Sequence, residues 1–329
     1  MPPPAPILGS VTPTPIAVLL AAPRGFCAGV DRAIDIVDLA LRAYGPPVYV
    51  RHAIVHNTHV VAELEAKGAV FVEDERDVPE GGMLVFSAHG VAPQVKRNAE
   101  EAGLRTIDAT CPLVTKVHLE ARHYAALGYS IVLIGHEGHQ EVIGTMGNAP
   151  GSIWLVETPE DVDRLDLPDP GKVAYVSQTT LSVDEAGAVI ARLRERYPSA
   201  RGPRGDDICY ATQNRQDATK VLAERSDLVL VIGSDTSSNS KRMVEVALAS
   251  GAPAAYLIDD ADAIDESWLE GVATLGLTSG ASAPEALVDG VLEHLRARPG
   301  GAVLEPLEVV EEDMHFALPA SLRQLPILS

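Results

Sequence analysis

The chain has 329 residues, of which 46% are hydrophobic and 22% charged, as is typical of a globular protein with two or three domains. Its 46 acidic and 26 basic side chains give a formal net charge of -20, which repels nucleic acid and anionic membranes. No stretch reaches the roughly 18 consecutive apolar residues of a membrane-spanning helix. We therefore expect neither a nucleic-acid partner nor a membrane partner.

The N-terminal segment, residues 1–15, contains six prolines and no charged side chain, which predicts a disordered or extended lead-in. The apolar run that follows, 16–22, has the length of a signal-peptide core, but no Lys or Arg precedes Arg24. Because signal peptides have basic residues ahead of the apolar core, a first buried strand is the favoured interpretation. The same lack of basic residues argues against an organelle transit peptide, so we expect the protein in the cytoplasm.

One theme repeats along the rest of the chain. A short run rich in Val, Ile and Leu ends in a small polar loop, and an amphipathic helix often follows. Near-continuous apolar runs separated by helical segments predict parallel sheets covered on both faces, with ligands beyond the carboxyl ends of the strands. The runs with their loops are residues 16–30, 48–57, 83–91, 131–141, 173–182, 228–240 and 273–284.

The three cysteines, Cys27, Cys111 and Cys209, each precede the start of a predicted helix. Pro112, directly after the second, is suited to the first helical position. The spacings of 84 and 98 residues are nearly equal, which predicts three α/β units that each contribute one cysteine. Buried core cysteines have no reason to fall at matching loop positions, so a shared site is favoured.

Three thiols from distant loops suit either a [4Fe–4S] cluster or a zinc ion. A [4Fe–4S] cluster usually takes four cysteines, so three would leave one iron open to another ligand. An open iron is a Lewis acid that can take a hydroxyl or alkoxide oxygen. Zinc with three thiolates and a water is the alternative, and helix N-termini would favour the thiolate form for either metal.

A second set of candidates is rich in histidine. His56, His89, His136 and His139 each follow an apolar run, and such a set in equivalent loops is hard to explain as ordinary loop residues. Glu141, two residues after His139, is a candidate proton donor if burial raises its pKa. The alternative is an exposed glutamate at a helix start, where the helix dipole favours negative charge.

Hydroxyl and amide side chains form a third set. Ser237, Ser238 and Asn239 precede a helix pattern, and a helix start rich in Ser and Asn offers N–H groups and side-chain donors to a phosphate. Ser282 opens a predicted capping box at 282–285. Because its loop parallels the other one, Ser282 is also a candidate for the anion site.

Thr179 and Thr180 are further hydroxyl donors at a strand end, and Ser182 is expected only to cap a helix. The chain has no Walker A motif, no G-x-G-x-x-G and no flavin fingerprint, so reducing equivalents, if used, must arrive through another protein. Together the three sets predict an open metal centre, a buried proton source and a neutral anion pocket.

A series of motifs in this chain closely resembles the 4-hydroxy-3-methylbut-2-enyl diphosphate reductases, which catalyse the last step of the methylerythritol phosphate route to isoprenoids. The resemblance runs from about residue 16 to the terminal FALPASLR. It departs from the family in the first 15 residues and at Gln140, where proline is more often found. The motifs are PRGFCAGVDRAI, VHN, SAHGV, DATCPLVTKVH, GHQEVIGTMG, SQTTLS, DDICYATQNRQ, GSDTSSNS and SGASAPE.

The resemblance implies an α/β fold of three similar domains with mainly parallel sheets, in a pseudo-threefold arrangement around a central iron–sulfur cluster. The expected bounds are a lead-in at 1–15, domain 1 at 28–111, domain 2 at 112–208, domain 3 from 16–27 plus 209–300, and a C-terminal tail at 301–329.

The resemblance also implies a reaction. A [4Fe–4S] cluster held by Cys27, Cys111 and Cys209 would bind the allylic hydroxyl of the substrate at its non-cysteine iron, an iron that handling can remove. Two electrons and two protons would then release water and give isopentenyl and dimethylallyl diphosphates. Ferredoxin or flavodoxin is the expected electron donor.

By the same resemblance, Glu141, Thr179 and His139 are the catalytic residues, with Glu141 supplying protons and Thr179 helping to orient the hydroxyl. The residues implied in substrate binding are His56, His89, His139, Thr179, Ser237, Ser238, Asn239 and Ser282. Two other classes stay open: an iron–sulfur sensor or electron carrier, which would not need the anion set or Glu141, and a zinc hydrolase or transferase with three cysteines and a water.

Overall fold

The structure is a computed structural model that describes residues 14–203, 205 and 207–323, so most of the predicted lead-in lies outside the described residues. The strands are β1 (Ile16–Ala22), β2 (Val48–Arg51), β3 (Ala69–Val72), β4 (Met83–Phe86), β5 (Arg105–Asp108), β6 (Ser130–Ile134), β7 (Ile153–Val156), β8 (Val173–Ser177), β9 (Leu228–Ile232), β10 (Ala255–Ile258), β11 (Thr274–Ser279) and β12 (Ala302–Glu308). The α-helices are α1 (Ala28–Tyr44), α2 (Thr58–Ala66), α3 (Pro93–Glu101), α4 (Pro112–Ala126), α5 (Gln140–Asn148), α6 (Pro159–Arg164), α7 (Val183–Arg196), α8 (Tyr210–Ala223), α9 (Ser238–Ala249), α10 (Glu285–Ala297) and α11 (Ala320–Arg323). None of the helices in these ranges has the length and apolar character needed to cross a membrane.

Within the described residues the strands form three sheets, and their strand pairs are all parallel. The first sheet has the order β3-β2-β4-β5, the second β7-β6-β8 and the third β10-β9-β11-β1-β12. Parallel neighbours need crossover connections, and the helices between successive strands provide them. The predicted α/β fold with parallel sheets is confirmed.

Apolar side chains cover both faces of the sheets, which explains the near-continuous apolar runs of the sequence. In β9, Leu228 and Leu230 belong to one core cluster, whereas Val229 and Val231 belong to a cluster on the opposite face. Burial of each such side chain stabilises the fold by about 1.5–3 kcal/mol. The loops at the strand ends are therefore held by a rigid support.

The third sheet is built from both ends of the described chain. Its strand β1 lies between β11 and β12, so that Leu19 is paired with Gly276 on one side and with Glu305 on the other. The strand β12 falls within the predicted C-terminal tail and forms the edge of this sheet. It is mostly exposed and contains Pro306, which an edge strand tolerates, so its sequence lacks the apolar run of a buried strand. The bounds of the three domains stay predictions.

After β12 the chain crosses from the third sheet to the first. Residues 309–319, which we call the C-terminal strap, have no regular secondary structure. Beyond the strap, Leu322 in α11 is buried in the core cluster that contains Ile36 of α1, and Leu318 packs against the same cluster. The strap therefore links two of the three units.

Truncating a buried residue of β11 should destabilise the protein far more than the same change in the edge strand. Leu277 in β11 is fully buried, whereas Leu304 in β12 is 40% exposed. We expect Leu277→Ala to lower the free energy of unfolding by about 2–5 kcal/mol, because it leaves a cavity. Leu304→Ala should lower it by less than about 1 kcal/mol. Urea denaturation measures both, and equal losses would contradict the edge position of β12.

Candidate active site

Each of the three cysteines is the residue directly before a helix. Cys27 precedes α1, Cys111 precedes α4 and Cys209 precedes α8. Pro112 lies in the first turn of α4, as predicted. Helix starts leave backbone N–H groups unpaired, and one of them, from Thr212, donates to the Cys209 Sγ at 3.4 Å. The fold thus places three thiols at the positive ends of three helices.

Glycines around Cys27 allow the backbone to approach the sulfurs. A Cβ on Gly29 would lie 2.8 Å from the Cys111 Sγ and 3.8 Å from the Cys27 Sγ, and the shorter distance is too close for any side chain. Gly25 has a φ of 66°, which favours glycine, and its N–H donates to the Ser279 Oγ at 2.8 Å. The loop PRGFCAGV therefore leaves a cradle between sulfurs of two units.

Burial keeps the three thiols protonated. It raises the pKa of Cys111 to about 12 and that of Cys209 to about 11. Burial also raises the pKa of Cys27, and the positive charge of Arg215 opposes that rise. In the described parts of the chain, no three or more His, Cys, Asp and Glu side chains are grouped so as to hold a single metal ion. Any metal group bound by the cysteines must displace their protons.

A cavity of about 110 Å³ is lined by residues from all three units. Its lining segments follow the carboxyl ends of strands in each sheet, where parallel α/β folds bind ligands. His136 is outside this lining and faces a neighbouring pocket with Lys241 and Arg242. All the other candidate residues line it: Cys27, Cys111, Cys209, His56, His89, His139, Glu141, Thr179, Thr180, Ser237, Ser238, Asn239 and Ser282.

Thr212 also lines this cavity, although the sequence analysis did not single it out. Its N–H and its Oγ1 contact the Cys209 Sγ at 3.4 and 3.2 Å. A side chain that caps a helix start regularly accepts a hydrogen bond from the backbone N–H three residues later. The spacing from Cys209 to Thr212 was therefore a usable signal for this contact.

The three histidines of the cavity contact one another. Their ring centroids are 4.1 Å apart for His56 and His89, 5.4 Å for His56 and His139, and 6.0 Å for His89 and His139. Burial lowers the pKa of His56 to about 4 and of His139 to about 3, and it holds the pKa of His89 well below its usual value. All three are neutral at pH 7, and an adjacent anion would favour their protonation.

The hydrogen bonds of His139 select its tautomer. Its Nδ1 accepts the N–H of Glu141 at 3.2 Å, so in the neutral ring the proton is on Nε2. This Nε2, like that of His56, is buried and has no hydrogen-bond partner within the described residues. A buried donor without a partner is costly, and an anion in the cavity would satisfy it.

The third unit contributes hydroxyl and amide groups. Ser237 precedes α9 and its Oγ accepts the Ser240 N–H at 3.3 Å. Ser238 is the first residue of α9, and the buried Oδ1 of Asn239 has no partner in the described ranges. This helix start combines free N–H groups with side-chain donors, an arrangement that binds phosphate.

Ser282 does not cap a helix, so the predicted capping box at 282–285 is wrong. The helix α10 begins at Glu285, and Pro284 takes the capping position, where its side chain has no acceptor. The Ser282 Oγ instead donates to the carbonyl of His56 at 2.9 Å. This bond joins the third unit to the first at the cavity.

Glu141 is buried at the start of α5. It is 2% exposed, and its carboxyl accepts the Thr179 N–H at 2.7 Å and the Thr179 hydroxyl at 2.9 Å. Burial raises the pKa of Glu141 to about 7, while the two bonds from Thr179 act in the opposite direction. The alternative of an exposed glutamate at a helix start is wrong. Near neutral pH this carboxyl can donate a proton.

The chain is similar to characterised proteins along most of its length. A family model described as "LytB protein" matches residues 18–296. The 4-hydroxy-3-methylbut-2-enyl diphosphate reductase of Mycolicibacterium paratuberculosis is 59% identical over 314 residues, which cover 95% of this chain and 94% of that protein. The protein of the same name from Acidothermus cellulolyticus is 60% identical over 307 residues, covering 93% and 90%.

The fold is also similar to a solved structure. The E-1-hydroxy-2-methyl-but-2-enyl-4-diphosphate reductase from Plasmodium falciparum superposes with a TM-score of 0.91 at 40% identity, covering 94% of this chain and 98% of that one. A match over most of the chain, together with relatives near 60% identity, shows that this protein belongs to the LytB family.

Proposed function

We propose that this protein removes the hydroxyl group of (E)-4-hydroxy-3-methylbut-2-enyl diphosphate. The substrate takes up two electrons and two protons, releases one water, and yields isopentenyl diphosphate or dimethylallyl diphosphate. The observation that carries this proposal is the convergence of three cysteines, a carboxyl with a raised pKa and neutral anion-binding groups on one cavity. The names of the relatives agree with it.

Cys27, Cys111 and Cys209 would hold a [4Fe–4S] cluster with one non-cysteine iron. The residues fit such a group, because three thiols at helix starts line one cavity and Gly29 leaves a cradle beside two of the sulfurs. When bound, the cluster supplies single electrons and a Lewis-acidic iron for the substrate hydroxyl.

The diphosphate would bind to neutral donors. His139 would donate from Nε2, which carries the ring proton and has no partner within the described residues. The start of α9 would add its N–H groups and the hydroxyls of Ser237 and Ser238. The remaining proposed diphosphate ligands are His56, His89, Asn239 and Ser282. Such donors bind an anion and exclude water without a lysine cluster.

Glu141 would supply the proton that leaves with the hydroxyl as water. Its pKa of about 7 keeps part of the carboxyl protonated at neutral pH. Thr179 donates its N–H and its hydroxyl to this carboxyl. The two bonds fix the orientation of the Glu141 carboxyl and place the Thr179 hydroxyl oxygen beside it. We assign to Thr179 the orientation of the substrate hydroxyl.

The electrons would come from ferredoxin or flavodoxin, because the chain has no nucleotide- or flavin-binding fingerprint. All three cysteines are free, and reduced thiols are typical of the cytoplasm, which we propose as the location. A simple electron carrier or sensor would have no use for Glu141 or the anion-binding groups. Their presence in the cavity of the cysteines favours an enzyme.

Glu141→Gln should retain the cluster and bind substrate but lose turnover. The amide keeps the size of the side chain and cannot supply the proton, so we expect turnover to fall by about 10²–10⁴-fold. The matched control is Glu137→Gln, since Glu137 is exposed in the preceding loop. Substrate reduction with a chemical reductant, together with iron and sulfide content, measures the effect. Near-normal turnover of Glu141→Gln would reject the proton-donor role.

Cys27→Ser should lose the intact cluster. After anaerobic reconstitution we expect iron and acid-labile sulfide in the wild-type protein and loss of most of both in the variant, because one of three cysteine ligands is gone. Iron and sulfide quantitation measures this, and circular dichroism checks that the variant is folded. Unchanged iron and sulfide would contradict ligation by Cys27. One zinc without sulfide in the wild-type protein would favour a zinc enzyme instead.

Pyrophosphate binding should strengthen more steeply with falling pH in the wild-type protein than in His139→Asn. The pKa of His139 is about 3 without an anion, and a bound anion raises it, so the complex takes up a proton as the pH falls. Asparagine keeps an acceptor for the Glu141 N–H but cannot take up that proton.

Isothermal calorimetry of both cluster-loaded proteins between about pH 8 and about pH 5 measures this difference. The linked proton uptake lies above the pKa of about 3 of His139 in the free protein and below its raised value in the complex. Pyrophosphate gains protons over the same range, and the comparison between the two proteins removes that effect. Parallel pH profiles would contradict protonation of His139 in the complex, and equal affinities of the two proteins at every pH would contradict its role in anion binding.

A further inference from the structure

Three cations connect the three cysteine loops in a closed ring. Each lies in the helix that begins after a cysteine, five or six residues beyond that cysteine in the sequence. Each donates to the segment that precedes the next cysteine of the ring. We call Arg32, Lys116 and Arg215 the cation ring.

Arg32 in α1, the helix that Cys27 precedes, reaches the loop of Cys111. Its Nη1 donates to the carbonyls of Ala109 and Thr110, at 3.1 Å each. These are the two carbonyls directly before Cys111. The helix of the first cysteine therefore holds the loop of the second.

Lys116 in α4, the helix that Cys111 precedes, reaches the segment before Cys209. Its Nζ donates to the Gly205 carbonyl at 3.2 Å and to the Asp207 Oδ1 at 3.1 Å. The other oxygen of this buried Asp207 carboxyl accepts the N–H of Ser177 at 3.0 Å. The second link thus also engages the end of the strand β8.

Arg215 in α8, the helix that Cys209 precedes, completes the ring at the loop of Cys27. Its Nη2 donates to the Gly25 carbonyl at 2.8 Å, and its Nε donates to the same oxygen at 3.2 Å. The carbonyls of Arg24 and Phe26 lie 3.5 Å from Nη2. The side chain is fully buried, so its charge needs these partners.

The C-terminal strap contacts two of the three cations, Arg32 and Arg215. Glu312 accepts from the Nη1 of Arg215 at 2.9 Å and from the Nδ2 of Asn214 at 3.0 Å. The carbonyl of Ala317 accepts from the Nε of Arg32 at 2.9 Å. The strap therefore accepts from donors of the two arginines that do not bond to the cysteine loops.

We propose that the cation ring is the positioning device of the three-cysteine centre. It sets the mutual spacing of the sulfurs, and the charge of its cations favours the reduced, more negative state of the cluster. The proposal rests on the cysteines being the cluster ligands, as proposed above. None of the three cations is among the residues that line the cavity, so they are positioning residues.

Loss of the cation ring should change properties of the cluster that loss of an ordinary helix-to-loop contact would not change. An ordinary contact stabilises the fold, and removing it leaves carbonyls unpaired at a cost to stability. A ring that positions the cluster would in addition alter its retention and its reduction potential. The sign of the potential shift follows charge, since a lost cation disfavours an added electron and a lost anion favours it.

The experiment compares three kinds of variant after anaerobic reconstitution. The measurements are iron and sulfide per chain after gel filtration and the midpoint potential. The neutral variants are Arg32→Gln, Lys116→Gln and Arg215→Gln. The charge-conserving variants are Arg32→Lys, Lys116→Arg and Arg215→Lys. The controls are Arg42→Gln in α1 and Arg122→Gln in α4, both exposed.

We expect each neutral variant to retain less than half of the wild-type cluster and to have a more negative midpoint potential. The charge-conserving variants should recover the potential, and the controls should match the wild-type protein. Glu312→Gln leaves Arg215 in place and removes a negative charge, so its potential should shift in the positive direction. If Arg215→Gln does not fold, Glu312→Gln and the two variants at Arg32 test the proposal instead.

Neutral variants with wild-type retention and potential would overturn the ring, as would equal changes in the controls. A more negative midpoint potential in Glu312→Gln would overturn the proposed effect of the ring's charge on the potential. A wild-type protein that binds no iron and sulfide would overturn the cysteine assignment and the ring with it. A loaded, active wild-type protein with unaffected ring variants would overturn the ring alone.

Discussion

Exclusion of water from one cavity controls the protonation of the groups that line it. Burial raises the pKa of the Glu141 carboxyl and of the cysteine thiols, and it lowers the pKa of the His56 and His139 imidazoles. These shifts share one cause, because each favours the neutral form of its group. The cavity therefore carries little charge of its own. It suits charged ligands: an anionic substrate and a metal cluster that displaces thiol protons.

Much of this arrangement could be predicted because its signals are local in sequence. The apolar run of β9 indicated a buried parallel strand, and Pro112 marked the start of α4. Ser182 caps α7 by accepting the Glu185 N–H, as its spacing predicted. The polar loops lie together because the strands that precede them are parallel, and parallel strands place their carboxyl ends at one edge.

Other features could not be predicted because they depend on partners far away in the sequence. The strand β12 is recognisable only through its pairing with β1, since its own side chains are mostly exposed. Ser282 has the spacing of a helix cap, yet its partner is the distant carbonyl of His56. The contacts of Arg32 and Arg215 with the cysteine loops end on backbone carbonyls, which every residue has. No residue type in the receiving loops marks them.

The unpartnered groups of the cavity link its binding function to the stability of the fold. The Nε2 atoms of His56 and His139 and the Oδ1 of Asn239 are buried without protein partners in the described residues. Each such group costs about 1–3 kcal/mol, which the hydrophobic cores of the protein must offset. A bound diphosphate that accepts from the histidines recovers part of that free energy. Side chains that satisfied these atoms internally would stabilise the protein and weaken its hold on the anion, because the recovered energy contributes to affinity.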